Sequence, residues 1–486
     1  MHTILTGAPL RRSALFIAIA IALGCAVSAG AFAAAPGNAP QALAQVRDTA
    51  LHSDWAYARL ADMTDLIGPR LSGSAGAAAA VQQVAETMRQ LGATVTLQPV
   101  KVPHWVRGVE TAEIVDYAGR PQGVSQRVVL TALGGSGATP AAGLTAPLII
   151  VKSFEELKAR AAQVKGAIVL IDTPFDQEMA ERGLAGVTYG QGSRFRFNGP
   201  KAAADLGAAA ALVRSVGGAN FRIPHAGATG LDDNKRIPAA AVTVEDALLI
   251  GRLAARGPMK MRLTLTPQNL PEADSYNVIA DWPGTDKADE VVVVSGHLDS
   301  WDLATGAHDD GAGVVAAMGV VETLKKLDYR PRRTIRVIAW MNEENGGRGG
   351  QAYFEAHKQA LGKQYAAIEM DSGAGRPFGI KASVGPKAEK LFAPLLAALQ
   401  PMGAHAFTRR DALGTGDLHR LETGGVPSFE PLVDSHSYFH YHHTAADTLD
   451  KVDPDNLKRN VALMSSLAWF LANIDGEIGR APEQGE

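Results

Sequence analysis

The most constraining feature of the sequence is an alternation of apolar, strand-like runs and helical segments in its second half. Residues 291–295 (Val-Val-Val-Val-Ser) form a continuous β-branched run, which is typical of a strand buried on both faces of a sheet. A helical pattern follows over 311–327, then a strand over 334–340, a helix over 349–357 and a third strand over 365–370. This alternation predicts an α/β fold with a mainly parallel, twisted sheet flanked by helices.

The remainder of the chain divides into two further regions. Residues 41–92 have a helical pattern, and residues 94–97 resemble a strand. Residues 126–266 differ in character, because short strand-like runs surround one small-residue helix; the strands are predicted at 148–151, 167–171 and 239–242, and the helix at 200–212. Residues 267–271 are interpreted as a linker because they begin and end with proline. The pattern predicts a smaller β/α domain inserted into the α/β fold.

The first residues indicate export. Arg11 and Arg12 precede an apolar run over 14–27, and small residues near Ala33 end it, as in a secretory signal peptide. The run is shorter than the ~20 residues that a membrane-spanning helix needs. Two other signals are weaker: Gly24-Cys25 resembles a lipidation site, and the arginine pair resembles a twin-arginine signal. We expect a signal peptide over 1–33, periplasmic or extracellular export, and no transmembrane segment in the mature chain.

Composition limits the partners and the metal sites. The formal net charge is -3, so no overall positive field attracts nucleic acid, and we expect no nucleic-acid partner. The chain contains 13 His and 1 Cys, which excludes a disulfide framework and a zinc finger. Any metal site is therefore built from imidazole and carboxylate groups.

Imidazole and carboxylate side chains follow each of the three predicted strands of the second half. Ligands of open α/β sheets bind beyond the carboxyl ends of the strands, so we expect these side chains to meet at one edge. A loop after the first strand and a later histidine cluster add to them. The set comprises His297, Asp299, Asp309, Asp310, Glu343, Glu344, Asp371 and residues 440–448.

Several acids at the edge of an apolar sheet repel one another unless a cation neutralises them. Oxygen and nitrogen ligands without sulfur suit zinc, manganese or cobalt. A carboxylate shared by two metals ~3.5–4 Å apart would make a two-metal hydrolytic site. Each motif taken alone also fits a solvated turn or a packed side chain, so the prediction depends on their combination.

Taken in order, these motifs resemble the co-catalytic zinc peptidases of family M28, which include aminopeptidases and glutamate carboxypeptidases. The matching elements are His297-x-Asp299, Asp309-Asp310, Glu343-Glu344, Asp371 and His443-Thr-x-x-Asp-Thr448. Residues 67–74, 103–108 and 296–302 are most similar to the carboxypeptidase Q (plasma glutamate carboxypeptidase) branch. Segments at 164–170, 207–211 and 237–238 resemble a protease-associated domain. The resemblance implies a zinc-exopeptidase fold with that domain as its insert.

The resemblance also implies a role for each matching residue. One zinc would be held by His297, Asp309 and Asp371, and the other by Asp309, Glu344 and His443. Glu343 would be the general base, which takes a proton from a metal-activated water. Asp299 would orient His297, since a metal-bound imidazole usually donates its other N–H to a carboxylate. A cis peptide bond is expected after Asp309.

Some assignments stay open at this point. His443 is preferred as the ligand because it directly precedes the Thr-x-x-Asp-Thr segment, with His442 as the alternative. His308 either contacts substrate or is a surface imidazole. Asp417 either binds a free α-amino group or caps a turn. Arg409 and Arg410 either meet a substrate carboxylate or form a solvated pair.

We therefore predict four segments: a signal peptide over 1–33, the first part of a catalytic domain over 37–125, a protease-associated insert over 126–266, and the main catalytic part over 270–480. The expected activity is hydrolysis of a peptide bond next to a free terminus, in dipeptides or short peptides, with two Zn²⁺ per chain. Aminopeptidase and dipeptidase activities are left open, and the resemblance implies a homodimer. The alternatives are a glutaminyl-cyclase-like transferase with one working zinc and a non-catalytic binding ectodomain.

Overall fold

The computed structural model describes residues 40–218, 221–410, 414 and 416–480. The predicted signal peptide, residues 1–33, lies outside these residues. Among the residues described, no helix combines the length and the apolar character needed to cross a membrane.

The described residues form two eight-stranded sheets. The strands are β1 Thr94–Val106, β2 Glu110–Asp116, β3 Gln126–Val128, β4 Leu130–Ala132, β5 Leu144–Val151, β6 Ile168–Ile171, β7 Ala210–Arg214, β8 Ala239–Val242, β9 Met259–Leu265, β10 Gln268–Trp282, β11 Lys287–His297, β12 Arg333–Trp340, β13 Gln364–Glu369, β14 Pro377–Ser383, β15 Ala406–Arg409 and β16 Ser428–Val433. The helices are α1 Pro40–Leu51, α2 Trp55–Leu66, α3 Ala75–Leu91, α4 Phe154–Ala159, α5 Ala161–Val164, α6 Gln177–Met179, α7 Ala185–Asp205, α8 Val244–Ala254, α9 Ala312–Lys326, α10 Arg348–His357, α11 Ala393–Leu399, α12 His419–Thr423, α13 Tyr438–Tyr441 and α14 Pro454–Asn473.

The first sheet has the strand order β1-β10-β12-β11-β13-β16-β14-β15. Its centre, β12-β11-β13-β16, is parallel, as the sequence predicted, whereas β10 and β14 join it in the antiparallel direction. The valine run of β11 explains the central position of this strand. Val292 and Val294 pack with α9 and α14 on one face, whereas Val291 and Val293 pack with α10 and α12 on the other. A strand covered on both faces needs apolar side chains at every position.

The second sheet has the order β3-β2-β9-β5-β6-β7-β8-β4 and its own hydrophobic core. It begins with β2, so the unit that we name the insert domain covers residues 110–265. The predicted boundary at 126 was therefore too late: β2 was assigned to the catalytic part, yet it pairs with β9 of the second sheet.

Two other segments differ from the prediction. The predicted linker 267–271 is the start of β10, which pairs with β1, and the pairing register shifts between Val102 and His104. Proline has no N–H to donate and is tolerated at such irregularities of a strand. The two prolines therefore did not mark a linker between domains. The predicted helix 200–212 is the end of α7 followed by β7. A run of alanines occurs in helices as well as in strands. Here the segment forms strand β7 because it pairs with β6 and β8.

A buried arginine joins the N-terminal helices to the edge of the first sheet. Arg70 follows α2 and is fully buried. Its guanidinium donates to the backbone carbonyls of Leu298 at 2.7 Å and Gly306 at 2.9 Å, and its other bonds reach the carbonyls of Gly68 at 3.3 Å and Thr305 at 2.5 Å. Arg70 therefore holds the loop after β11 in place, and this loop leads into Asp309.

Replacing Arg70 with methionine should destabilise the protein, because several buried carbonyl groups lose their donor. We expect the free energy of unfolding in urea to fall by roughly 3 kcal/mol or more. Arg89→Met is the matched control, because Arg89 is exposed on α3 and forms only a 3.8 Å pair with Glu86; its effect should stay within ~0.5 kcal/mol. Equal unfolding midpoints for Arg70→Met and wild type would contradict this account of the loop.

Candidate metal centre

Three strand ends bring polar side chains to the carboxyl edge of the first sheet. His297 is the last residue of β11, Glu343 and Glu344 follow β12, and Asp371 follows β13. Asp309 comes from the loop between β11 and α9, and the bond from Asp309 to Asp310 is cis, as the resemblance implied. The edge of the sheet therefore collects one imidazole and four carboxylates.

The carboxylate of Asp309 lies between two groups of metal-ligating atoms. Its Oδ1 is 3.1 Å from Nε2 of His297, and the same Nε2 is 3.4 Å from Oδ1 of Asp371. Its Oδ2 is 3.3 Å from Nε2 of His443, which is 3.0 Å from Oε2 of Glu344. The two oxygens of one carboxylate thus face two separate ligand groups. This is the arrangement that a bridging ligand between two metals requires.

The surroundings of these atoms fit a bound cation. Oδ2 of Asp309 and Oε1 of Glu344 are buried and accept no hydrogen bond in the described part of the chain. Burial raises the pKa of Glu344 well above its usual value, and the nearby Asp309 carboxylate raises it further. Burial lowers the pKa of His297, but the Asp371 and Asp309 carboxylates outweigh it and raise that pKa well above its usual value. Buried carboxylates without donors are costly unless positive charge is supplied, so the residues present suit divalent metal ions.

His443 and His442 both approach Asp309, but they differ in the hydrogen bonds of Nδ1. Nδ1 of His443 is 3.2 Å from the carbonyl oxygen of Ala226, which can only accept a hydrogen bond. A guanidinium nitrogen of Arg196, which can only donate, is 3.4 Å from the same Nδ1. The shorter contact with Ala226 favours a proton on Nδ1, which would leave the lone pair of Nε2 for a metal between Asp309 and Glu344. His442 lies farther from Asp309, at 3.5 Å, and its buried Nδ1 has no hydrogen-bond partner among the described residues. Asp309, His442 and His443 form one cluster of potential ligand atoms among the described residues, so His443 stays the predicted ligand and His442 the alternative.

Asp299 lies next to His297, but its carboxylate has another task than the one predicted. Nδ1 of His297 bonds to the backbone carbonyl of Asp299 at 2.9 Å, whereas the carboxylate is 4.0 Å away. The carboxylate instead accepts hydrogen bonds from the backbone N–H groups of Asn342 at 2.7 Å and Glu343 at 3.1 Å, and from the Ser72 hydroxyl at 3.0 Å. Asp299 therefore fixes the loop that carries Glu343 and Glu344.

Two further carboxylates hold the Asp309 loop and were quoted in the sequence motifs without a role. Asp447 accepts from the backbone N–H groups of His308 at 2.7 Å and Asp309 at 3.1 Å. Asp310 accepts from the backbone N–H of His297 at 3.1 Å and of Gly313 at 3.0 Å. Burial, with the charge of Asp309, raises the pKa of Asp447 to about 7. A single sequence shows only that these residues are aspartates, so it could not predict which backbone N–H groups they bind.

A cavity of about 1070 Å³ opens beside the two ligand groups. Its walls include Glu343, whose pKa burial raises to about 8, together with Asp371 and His443. The insert domain forms the opposite wall with Tyr189 and Arg196, which sequence reasoning missed. Arg196 donates to the Tyr189 hydroxyl at 2.8 Å and lies 3.4 Å from Nδ1 of His443. The cavity therefore needs both parts of the chain.

The structure gives other contacts to three residues that were considered for substrate binding. His308 is buried, accepts from the Ala374 N–H at Nδ1 and donates from Nε2 to the Lys451 carbonyl, so it is neither a cavity residue nor a surface imidazole. Asp417 is buried outside the cavity wall and accepts from the Gly350 N–H at the start of α10. Arg410 lines the cavity but pairs with buried Glu422. These contacts depend on segments far apart in sequence, which motif spacing does not reveal.

An α/β sheet whose carboxyl edge carries two carboxylate-bridged ligand groups beside a cavity defines a metallohydrolase. The model of peptidase family M28 matches residues 277–468. Human carboxypeptidase Q is 34% identical over 430 residues, covering 88% of this chain and 87% of that protein. The chain belongs to peptidase family M28 and is a metallopeptidase.

Solved structures agree with this assignment. A crystal structure of a peptidase M28 precursor from Shewanella amazonensis is similar with a TM-score of 0.85 and 36% identity, covering 92% of this chain and 99% of that one. A zinc aminopeptidase from Bacillus subtilis shares the fold, with a TM-score of 0.64, 20% identity, and coverage of 89% and 98%.

His443→Ala and His442→Ala should affect metal content differently. Loss of His443 removes a ligand from one group only. The metal content of the dialysed protein, measured by inductively coupled plasma mass spectrometry, should therefore fall from about two ions to about one ion per chain. His442→Ala is the matched control and should retain about two. The reverse pattern would transfer the ligand role to His442.

Proposed function

We propose that this metallopeptidase is an exported dizinc exopeptidase, an aminopeptidase or dipeptidase, that hydrolyses peptide bonds next to a free terminus in dipeptides or short peptides. One observation carries the proposal: Asp309 presents one oxygen to His297 and the other to His443, so that two complete ligand groups share a carboxylate. Zinc is supported by the nitrogen and oxygen donor set and by the zinc aminopeptidase of similar fold.

His297, Asp309 and Asp371 would hold one zinc, and Asp309, Glu344 and His443 the other. Zinc ions held there would lower the pKa of a bound water molecule and would polarise the carbonyl group of the substrate. Glu343 adjoins the ligand Glu344 and lines the cavity, so its carboxylate can take a proton from the attacking water and return it to the leaving amine. Asp299 keeps Glu343 in position through the backbone N–H of that residue.

The cavity supports a small substrate. A volume of about 1070 Å³ is at the upper end of the ~300–1000 Å³ typical of small-molecule sites, which suits a dipeptide or short peptide. The wall contributed by Tyr189 and Arg196 closes one side of the site, so a long chain has less room than a peptide end. Names of relatives include both a carboxypeptidase and an aminopeptidase, in keeping with cleavage near a terminus.

The alternative activities receive less support. A single-zinc cyclase has no hydrolytic need for the second ligand group, yet both groups are complete here. A non-catalytic ectodomain predicts the loss of a ligand or of Glu343, and none is missing. Export and the homodimer stay predictions from the sequence and its resemblance.

The proposal predicts a specific pattern of turnover. The purified, zinc-loaded protein should hydrolyse an unblocked dipeptide such as leucyl-alanine and leave its N-acetyl form intact, measured by release of free amino acids. Glu343→Ala should reduce kcat by roughly 10²–10⁴-fold, since a positioned general base contributes that much. Its metal content should equal that of wild type, because Glu343 is not a ligand in this assignment.

Two results would contradict the proposal. Equal hydrolysis of the free and the N-acetylated dipeptide would remove the requirement for a free amino terminus. Full activity of Glu343→Ala would show that another group is the base.

A further inference from the structure

One buried carboxylate in the cavity has no role in the arrangement described so far. Glu369 is the last residue of β13 and lines the cavity, with only 8% of its surface exposed. Its Oε1 is buried and has no hydrogen-bond partner among the described residues. Its other oxygen faces Gly416 so closely that an added Cβ there would lie 3.0 Å from Oε2. Glu369 is therefore a buried cavity residue with one oxygen unsatisfied.

The neighbouring acidic residues of the cavity are already paired or assigned. Glu430 pairs with Lys381 at 2.6 Å and accepts from the Ser372 hydroxyl at 3.2 Å. Glu422 pairs with Arg410. In the described part of the chain no lysine or arginine forms an ion pair with Glu369.

The position of Glu369 relates it to one of the two ligand groups. Glu369 is two residues before Asp371, and both side chains line the same cavity. A substrate group bound by Glu369 would therefore lie on the Asp371 side of the site. Glu369 is in neither cluster of three closely spaced metal-ligating atoms among the described residues, so a third metal is not the better explanation.

We propose that Glu369 binds the protonated α-amino group of the substrate and so selects peptides with a free amino terminus. A carboxylate with an unpaired buried oxygen forms a charge-assisted hydrogen bond with an ammonium group. Glu369 and Asp309 line the same cavity, so a peptide whose amine binds Glu369 can present its first carbonyl to the ligand groups. This inference rests on the proposed exopeptidase activity and identifies the residue that recognises the amino terminus of the substrate.

The test compares Glu369→Gln with wild type, both zinc-loaded. For leucyl-alanine, Glu369→Gln should raise KM by roughly 30-fold or more, because truncating a buried charge pair has an effect of this size, while kcat changes less. The inhibition constant of leucine should rise similarly. That of 4-methylpentanoate, which is leucine without its amine, should stay the same. Zinc content should also stay the same.

Glu430→Gln is the matched control, because it removes a carboxylate charge from the same cavity where Lys381 already offsets it. It should preserve the preference for leucine over 4-methylpentanoate. If Glu369→Gln keeps the wild-type preference, or weakens both inhibitors equally, the role assigned to Glu369 is wrong. If wild type itself fails to distinguish leucyl-alanine from its N-acetyl form, the proposed aminopeptidase or dipeptidase activity fails instead.

Discussion

Repulsion between buried carboxylates governs the carboxyl edge of the first sheet, where the candidate metal centre lies. Seven lie less than one-tenth exposed around the carboxyl edge of the first sheet: Asp299, Asp309, Asp310, Glu344, Glu369, Asp417 and Asp447. The nearest fully buried cation, Arg70, directs its donors to backbone carbonyls instead of to these acids. Backbone N–H groups satisfy Asp299, Asp310 and Asp447. Asp309, Glu344, Glu369 and Asp417 each keep an unsatisfied oxygen, so the remaining positive charge has to be bound from solution.

The acids at the edge of the first sheet differ in role, and the candidate metal centre also depends on the insert domain. Asp299, Asp310 and Asp447 accept backbone N–H groups and shape the loops, whereas Asp309 and Glu344 are left for metal. The insert domain completes the second ligand group, because the Ala226 carbonyl favours a proton on Nδ1 of His443 and the Ala226 N–H bonds back to the His443 carbonyl at 2.7 Å. His443 itself has a φ of 61°, a left-handed conformation that is strained for such a residue and that this contact helps to hold. Metal binding and cavity shape therefore depend on the same interface.

Much of the fold could be predicted from local pattern. The valine run of β11 and the alternation after it indicate a buried parallel strand, and the polar residues at strand ends indicate where a site would lie. Spacing could not tell which atoms make a contact: Asp299 reaches His297 through its carbonyl, and buried His308 bonds to backbone groups on both sides. Contacts across the two domains, such as Arg196 with His443, have no counterpart in sequence spacing. The sequence Glu369-Met-Asp371 did contain a usable signal, since both acids lie at the carboxyl end of a strand, where ligands of such sheets bind.

The central claim is that Asp309 bridges two metal ions, and anomalous diffraction from crystals grown with zinc tests it most directly. The account predicts two zinc peaks ~3.5–4 Å apart. One would lie between His297 and Asp371 and the other between Glu344 and His443, with Asp309 bound to both. A single peak at full zinc occupancy, or a second peak away from Asp309, would contradict the account.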